Sequence, residues 1–304
     1  MKPFTFYEAI ESNKRKTWFI VFIISFLLFF VCYAVVSYFE LGEIGIIIAF
    51  LIVLFTNYYA YQKSNEIILN YSGVREPTRE EYPYLLNVVE GLSIAAGIPT
   101  PKIYIMDDPS PNAFATGKDP QNSVVVVTKG LLDILNRTEL EGVIAHEISH
   151  IKNYDVRLQT IAAVMVGLIV ILGDGLKRSF YYSKRRRDKD ENILGIVSLI
   201  IAILAPFLAT LLRFALSRQR EYMADASAAM LTRYPEGLAS ALEKIAKNFQ
   251  PIKRANVMTA PLYIVNPLSS NAVSKLFSTH PPIEERIRRL RMMGERWKML
   301  DKEG

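Results

Sequence analysis

His146-Glu147-Ile148-Ser149-His150 is the segment of this chain best equipped for chemistry. It reads H-E-x-x-H, and its surroundings predict a helix. Upstream, Thr138-Glu139-Leu140-Glu141 fits a capping box, with Thr138 capping and Glu141 reaching back. Leu140, Val143, Ile144, Ile148 and Ile151 follow at roughly helical period. Positions i and i+4 share a helix face, so His146 and His150 can aim two imidazoles at one zinc ion. Glu147 then stands beside them, placed to take a proton from the water such a site activates. A helix carrying two surface histidines is the bland alternative. Against it, the chain has only 3 histidines, and two of them make this motif. The preceding Gly142-Val143-Ile144-Ala145 is apolar, which predicts a buried helix.

A catalytic zinc takes three protein ligands and keeps one position open. The third ligand must come from His280 or from an acid on another helix. Glu221 and Asp225, in Ser217-Arg218-Gln219-Arg220-Glu221-Tyr222-Met223-Ala224-Asp225, are i and i+4 and share a face. Glu221 could ligate while Asp225 accepts the N–H of a ligand histidine and fixes its tautomer. A solvated acidic pair, balanced by Arg218 and Arg220, fits the same spacing.

These motifs, together with Pro111-Asn112-Ala113-Phe114-Ala115-Thr116-Gly117 and Ser278-Thr279-His280-Pro281-Pro282, resemble the HtpX-type membrane zinc metalloproteases, relatives of the CAAX prenyl endopeptidases. The resemblance covers nearly the whole chain. It implies zinc ligands His146, His150 and Glu221, with Glu147 catalytic and one Zn2+ per chain. It also implies a peptidase acting on misfolded or damaged membrane proteins in stress response and quality control. Asn112, Ala113, Phe114 and Ala115 become the candidate edge strand for a substrate peptide; a buried meander strand is the other reading. His280 is one candidate donor for the tetrahedral oxyanion, Tyr222 and Arg218 are others, and a structural His280 is equally compatible.

The elements that must position these residues begin in the membrane. Hydrophobic residues make up 51% of the 304, and the mean hydropathy is +0.18. The excess sits in blocks. Thr17–Phe39 is an uncharged run long enough to span, and Ile44–Tyr61 is a second, with aromatic residues at their ends. Lys14, Arg15 and Lys16 precede the first run, which predicts a cytoplasmic N-terminus and a return to the cytoplasm after residue 61. The run is too long for the apolar region of a cleaved signal peptide. A net charge of +6 invites a nucleic-acid reading, but the bases flank apolar runs and no binding motif for RNA or DNA appears, so no nucleic-acid partner is expected. Cys32 is the single cysteine, and it lies inside the first apolar run.

Thr78–Ala96 predicts an amphipathic helix leaving a connector at 62–77. Lys102–Met106, Asn112–Thr116 and Ser123–Thr128 predict three short strands of a small antiparallel sheet. After the H-E-x-x-H helix come two further apolar runs, Thr160–Gly173 and Ile193–Leu212. The first has 14 residues, roughly 21 Å of helix against a ~30 Å hydrocarbon core. The loop between them carries seven bases, which favours the cytoplasm, whereas a full crossing would put it outside. The family resemblance implies four spans. Pro235–Phe249 predicts a helix, Tyr263-Ile264-Val265 a short strand, and Pro281-Pro282 the start of a last helix. Arg286, Arg288, Arg289 and Arg291 give that helix a basic face, read as solvated or as a contact for anionic lipid.

The expected architecture is therefore a mainly α membrane protein of about four transmembrane helices with an α+β zincin-like protease domain. Residues 1–61 form a two-helix anchor and 156–216 a hydrophobic hairpin, transmembrane or re-entrant. Residues 62–155 and 217–304 are the two parts of the protease domain. The expected location is the cell membrane, multi-pass, with the site on the cytoplasmic side and with polypeptide substrates and the lipid bilayer as partners. A CAAX-type endopeptidase, and a non-enzymatic scaffold or holdase with a structural zinc, are the rival functions.

Overall fold

The computed structural model describes residues 6–37, 41–167, 169, 210, 215, 217–256, 258–268 and 281–303. His280, the seven-base loop and the run Ile193–Leu212 lie outside these, apart from residue 210. Among the described residues, two helices are long and apolar enough to cross a membrane: α1 (Phe6–Ser37) and α2 (Gly42–Ser72). Both carry large exposed apolar side chains, such as Phe19, Phe22, Phe26, Phe50, Leu51 and Phe55. Surface of that kind is stable in contact with lipid tails and unfavourable in water. The two helices pair along their length, with Asn57 Nδ2 donating to Ser25 Oγ at 2.8 Å.

The connector predicted at 62–77 is mostly helix, because α2 runs on past the apolar stretch to Ser72. Its last turns are buried at Ile67, Ile68 and Ser72 against the rest of the chain, so tertiary packing carries the helix beyond the hydrophobic signal. The helix predicted from Thr78 begins later, as α3 (Pro83–Ala96), with Pro83 in its first turn and Gly97 ending it at φ +71°.

The sheet contains β1 (Lys102–Met106), β2 (Ala113–Gly117) and β3 (Ser123–Thr128), in the order β1-β3-β2. It is mixed, not antiparallel as expected. β2 pairs antiparallel with β3 in register Phe114↔Val126, but β1 pairs parallel with β3 in register Tyr104↔Val126. Central β3 is buried on both faces, as its unbroken valine run suits. Alternation along the strand divides those valines between two cores. Val124 and Val126 face α1, α2, residues 158–166 and Ile169; Val125 and Val127 face α3 and the helices that follow.

After β3 come α4 (Lys129–Ile134) and α5 (Arg137–Lys152), the H-E-x-x-H helix. The capping box is present but displaced by two residues. Asn136, not Thr138, is the cap, and Glu139, not Glu141, closes the box. Glu139 also receives Lys244 Nζ and Ser240 Oγ, both at 2.7 Å, which ties the start of α5 to a later helix. Helix α6 (155–167) follows a sharp corner. Then come α7 (Arg218–Thr232), α8 (Pro235–Lys247) and α9 (Ile283–Glu303). Residues 263–265 supply an isolated bridge, Tyr263 to Phe114, where a strand was predicted.

Candidate metal centre

Helix α5 is held on all sides. Val143, Ile144, Ile148 and Ile151 are fully buried, each contributing about 1.5–3 kcal/mol, and this offsets the cost of burying polar groups on the same helix. Gly142 sits against α8 so closely that a Cβ there would fall 2.6 Å from Leu238 N. Two backbones therefore meet at that point. The expectation of a buried helix holds: His146, Glu147 and His150 are each no more than 5% exposed.

Glu221 enters from the first turn of α7 and is buried too, as is Asp225. The solvated acidic pair is thus excluded. The Nε2 atoms of His146 and His150 face each other at 3.1 Å. Glu221 Oε1 lies 3.5 Å from His150 Nε2, and Oε2 lies 3.7 Å from His146 Nε2. The donor atoms of these three residues all fall within 4.8 Å of one another, a group that could hold a metal ion.

Each imidazole has its other nitrogen engaged by a carboxylate. His146 Nδ1 lies 3.0 Å from Asp225 Oδ1, the arrangement anticipated for the i+4 acid. His150 Nδ1 lies 3.1 Å from Asp155 Oδ2, a partner the sequence reading did not identify. With Nδ1–H donated to a carboxylate, each ring turns Nε2 toward Glu221, and deprotonation of that nitrogen would expose the lone pair that a metal takes. Asp155 reaches His150 because the chain turns at Asn153-Tyr154, where Tyr154 takes a left-handed backbone at φ +58°. A non-glycine residue bears that conformation at some energetic cost, here to reverse the chain under the histidine.

Arg286 is a residue that sequence reasoning misplaced. It does not belong to a solvated basic face; at 1% exposed it is among the most buried side chains described. Its Nε donates to Asp225 Oδ2 at 2.9 Å and its Nη2 to Asp225 Oδ1 at 2.7 Å, a bidentate pair. Nη1 donates to Ile264 O at 3.1 Å. A signal was present: residues 283, 286, 287 and 290 share a helix face, so Arg286 lies in the apolar stripe. Arg288, Arg289 and Arg291 do stay at the surface, paired with Glu285, Glu236 and Glu243.

Burial opposes ionisation of Asp225, but the Arg286 charge and the hydrogen bonds from His146 and Arg286 outweigh it and hold its pKa at about 2. Burial likewise opposes charge on His146, yet hydrogen bonds to Asp225 and Glu221 hold that pKa up at about 9; a bound metal would take that proton's place. Glu147 is pushed up from the ordinary carboxylate value, chiefly by burial.

Of the remaining sequence candidates, Asn112 precedes β2 and exchanges side-chain hydrogen bonds with the backbone of Val265. Ala113, Phe114 and Ala115 lie in β2, at the edge of the sheet, but all three are buried. The outer edge of β2 already carries the Tyr263 bridge and the bond from Ile264 N to Ala113 O. Tyr222 is half-buried under the Arg289 guanidinium, and Arg218 is exposed.

Residues 79–293 match the profile described as Peptidase family M48. The chain belongs to that family. A protein from Dictyoglomus thermophilum named Protease HtpX homolog is 86% identical to this M48 peptidase over 304 residues, the full length of both. One of the same name from Caldanaerobacter subterraneus is 46% identical, covering 95% of this chain and 98% of its own. One from Pyrococcus furiosus is 50% identical over 82% and 87%. Among solved structures, the crystal structure of S. mikatae Ste24p aligns with a TM-score of 0.48 and 19% identity, covering 93% of this chain and 67% of that one. This M48 peptidase is a membrane metalloendopeptidase, and the motif reading and the family agree on the enzyme class.

Proposed function

We propose that His146, His150 and Glu221 hold one zinc ion and that Glu147 is the catalytic acid–base of a cytoplasm-facing peptidase. The observation that carries this reading is the donor triangle. Two imidazole nitrogens bonded to one tetrahedral zinc at about 2.0–2.1 Å stand roughly 3.3 Å apart. The observed 3.1 Å separation, with a carboxylate closing the triangle at 3.5 and 3.7 Å, suits that ion. Two histidines and a glutamate leave a coordination position open, unlike a closed structural site.

Bound zinc supplies a Lewis-acid centre that activates water and polarises a carbonyl. Glu147 takes the proton of the attacking water and delivers it to the leaving amine. Its raised pKa keeps the carboxylate closer to the working pH, which serves both transfers. Asp225 and Asp155 keep both imidazoles in the tautomer that binds metal. Binding of a peptide along Asn112–Ala115 requires residues 263–265 to yield that edge; with the edge kept, β2 is simply a buried strand.

The cytoplasmic placing rests on α1. Asn13, adjoining Lys14, Arg15 and Lys16, touches the site's own elements, so the centre lies level with the basic end of the first span. A site at that surface suits membrane-protein substrates. Quality control of misfolded or damaged ones is the physiological role we infer, in keeping with relatives named Protease HtpX homolog.

The test uses the full chain in detergent, assayed for zinc content and casein cleavage. Glu147→Gln should keep zinc and lose cleavage, whereas Glu221→Ala should lose both. Near wild-type cleavage by Glu147→Gln would refute the mechanism.

A further inference from the structure

We propose that Asn13, near the start of the first membrane-spanning helix, is a positioning residue of the metal centre: it fixes the Asp155 carboxylate that orients His150. The proposal rests on reading His150 as a metal ligand. Asn13 is 4% exposed, an uncommon state for a polar side chain on a helix bound for lipid. Its Nδ2 donates to Asp155 Oδ1 at 2.8 Å and to Asn153 O at 3.0 Å. Its Oδ1 accepts from Arg220 Nη1 at 3.0 Å. The orientation of the amide is determined, because a carboxylate only accepts and a guanidinium only donates.

Three segments meet at this one side chain. Asn153 and Asp155 flank the left-handed corner at Tyr154, and Arg220 is the residue before Glu221. Asp155 uses Oδ2 for His150 Nδ1 and Oδ1 for Asn13, so the amide sets the rotation of the carboxylate that the histidine meets. The neighbourhood is bound to the same end of α1. Lys14 Nζ lies 4.4 Å from the centre of the Tyr154 ring, and the Arg157 guanidinium stands over Trp18 at 5.9 Å. The anchor helix is thus part of the scaffold that shapes the site, and more than a tether.

Two controls are built into the fold. Asn57, which bonds Ser25 between α1 and α2, provides a polar anchor contact away from the centre. Asp155 provides the residue through which Asn13 should act. The experiment strips the full-length chain of metal in detergent and titrates zinc back against a chelator of known affinity. Asp155→Ala should weaken zinc binding about 10–100-fold, as loss of a ligand's hydrogen-bond partner does. Asn13→Ala should weaken it several-fold, Asn57→Ala should not change it, and Asn13→Ala should add nothing to Asp155→Ala. Three outcomes would overturn the proposal: zinc affinity unchanged in Asn13→Ala while Asp155→Ala is impaired, equal losses in Asn13→Ala and Asn57→Ala, or additive losses in the double variant. If neither Asp155→Ala nor His150→Ala altered zinc binding, the metal-site reading itself would fall with it.

Discussion

The two histidines of the centre have the same chemistry and opposite supports. His146 leans on Asp225, which is gripped by Arg286 from α9 in a buried bidentate ion pair. His150 leans on Asp155, which is held by the neutral amide of Asn13 from α1, with the Arg220 guanidinium standing off at 3.7 Å. One support is a close bidentate ion pair in the protease half; the other combines an amide from the membrane end with the looser Arg220 ion pair. A carboxylate beside a buried guanidinium is held ionised by strong fields, whereas one fixed by an amide depends on geometry. The site is therefore a joint product of two cores, with β3 between them.

The largest break in this comparison should come from Arg286→Ala. It leaves the buried Asp225 carboxylate with His146 as its remaining partner, at a cost of about 3–5 kcal/mol in chemical denaturation. Arg286→Lys should recover little, since a single ammonium cannot make the bidentate pair. A wild-type denaturation midpoint for Arg286→Ala would show that the ion pair supports nothing.

Next come the carboxylates. Asp225→Asn and Asp155→Asn should each weaken zinc binding about 10–100-fold, with Asp225→Asn the larger because it also strands Arg286. The two should also differ with pH in metal-free protein. The folded pKa of Asp225 is about 2, below its usual 3.8, so its contribution to stability is complete above the usual value and is lost as pH falls through the folded one. His146, whose folded pKa of about 9 depends on that same carboxylate, contributes fully only below its usual 6.5. The stability gap between wild type and Asp225→Asn should therefore widen as pH falls from 9 to about 5 and close from about 4 toward 2. A gap that kept widening below about pH 4 would reverse the assignment of charge.

Both supports stand on α5, and two smaller perturbations test that common footing. Gly142→Ala forces α5 away from α8 and should cost about 1–3 kcal/mol, shifting both histidines together. Glu139→Gln weakens the capping box and the Lys244 contact and should cost about 1 kcal/mol with zinc affinity unchanged. Selective loss of zinc binding in Glu139→Gln would place the start of α5 in the site.

What the sequence displayed and what it hid follow the range of the interactions. His146, Glu147 and His150 lie within five consecutive positions on one helix, and Glu221 and Asp225 share a face, so local period was enough to nominate them. The strand limits of β1 and β3 were legible for the same reason. Asp155 was not, because i+5 on a straight helix points well away from His150, and only the corner at Tyr154 returns it. Asn13 is separated from Asp155 by 142 positions, and nothing local marks an asparagine in a basic flank as buried. Arg286 could have been found from its place in the apolar stripe, but three neighbouring surface arginines masked it. The parallel pairing of β1 with β3 was hidden too, since alternation reports which face is buried and says nothing of strand direction.

The central claim is that His146, His150 and Glu221 converge on a single zinc. The zinc K-edge absorption spectrum of the loaded full-length chain tests it most directly. The account predicts one zinc per chain with two imidazole nitrogens at about 2.0–2.1 Å and oxygen completing the shell, the imidazole signature surviving in Glu147→Gln. A shell with one imidazole or none, or an unchanged spectrum and stoichiometry in Glu221→Ala, would contradict it.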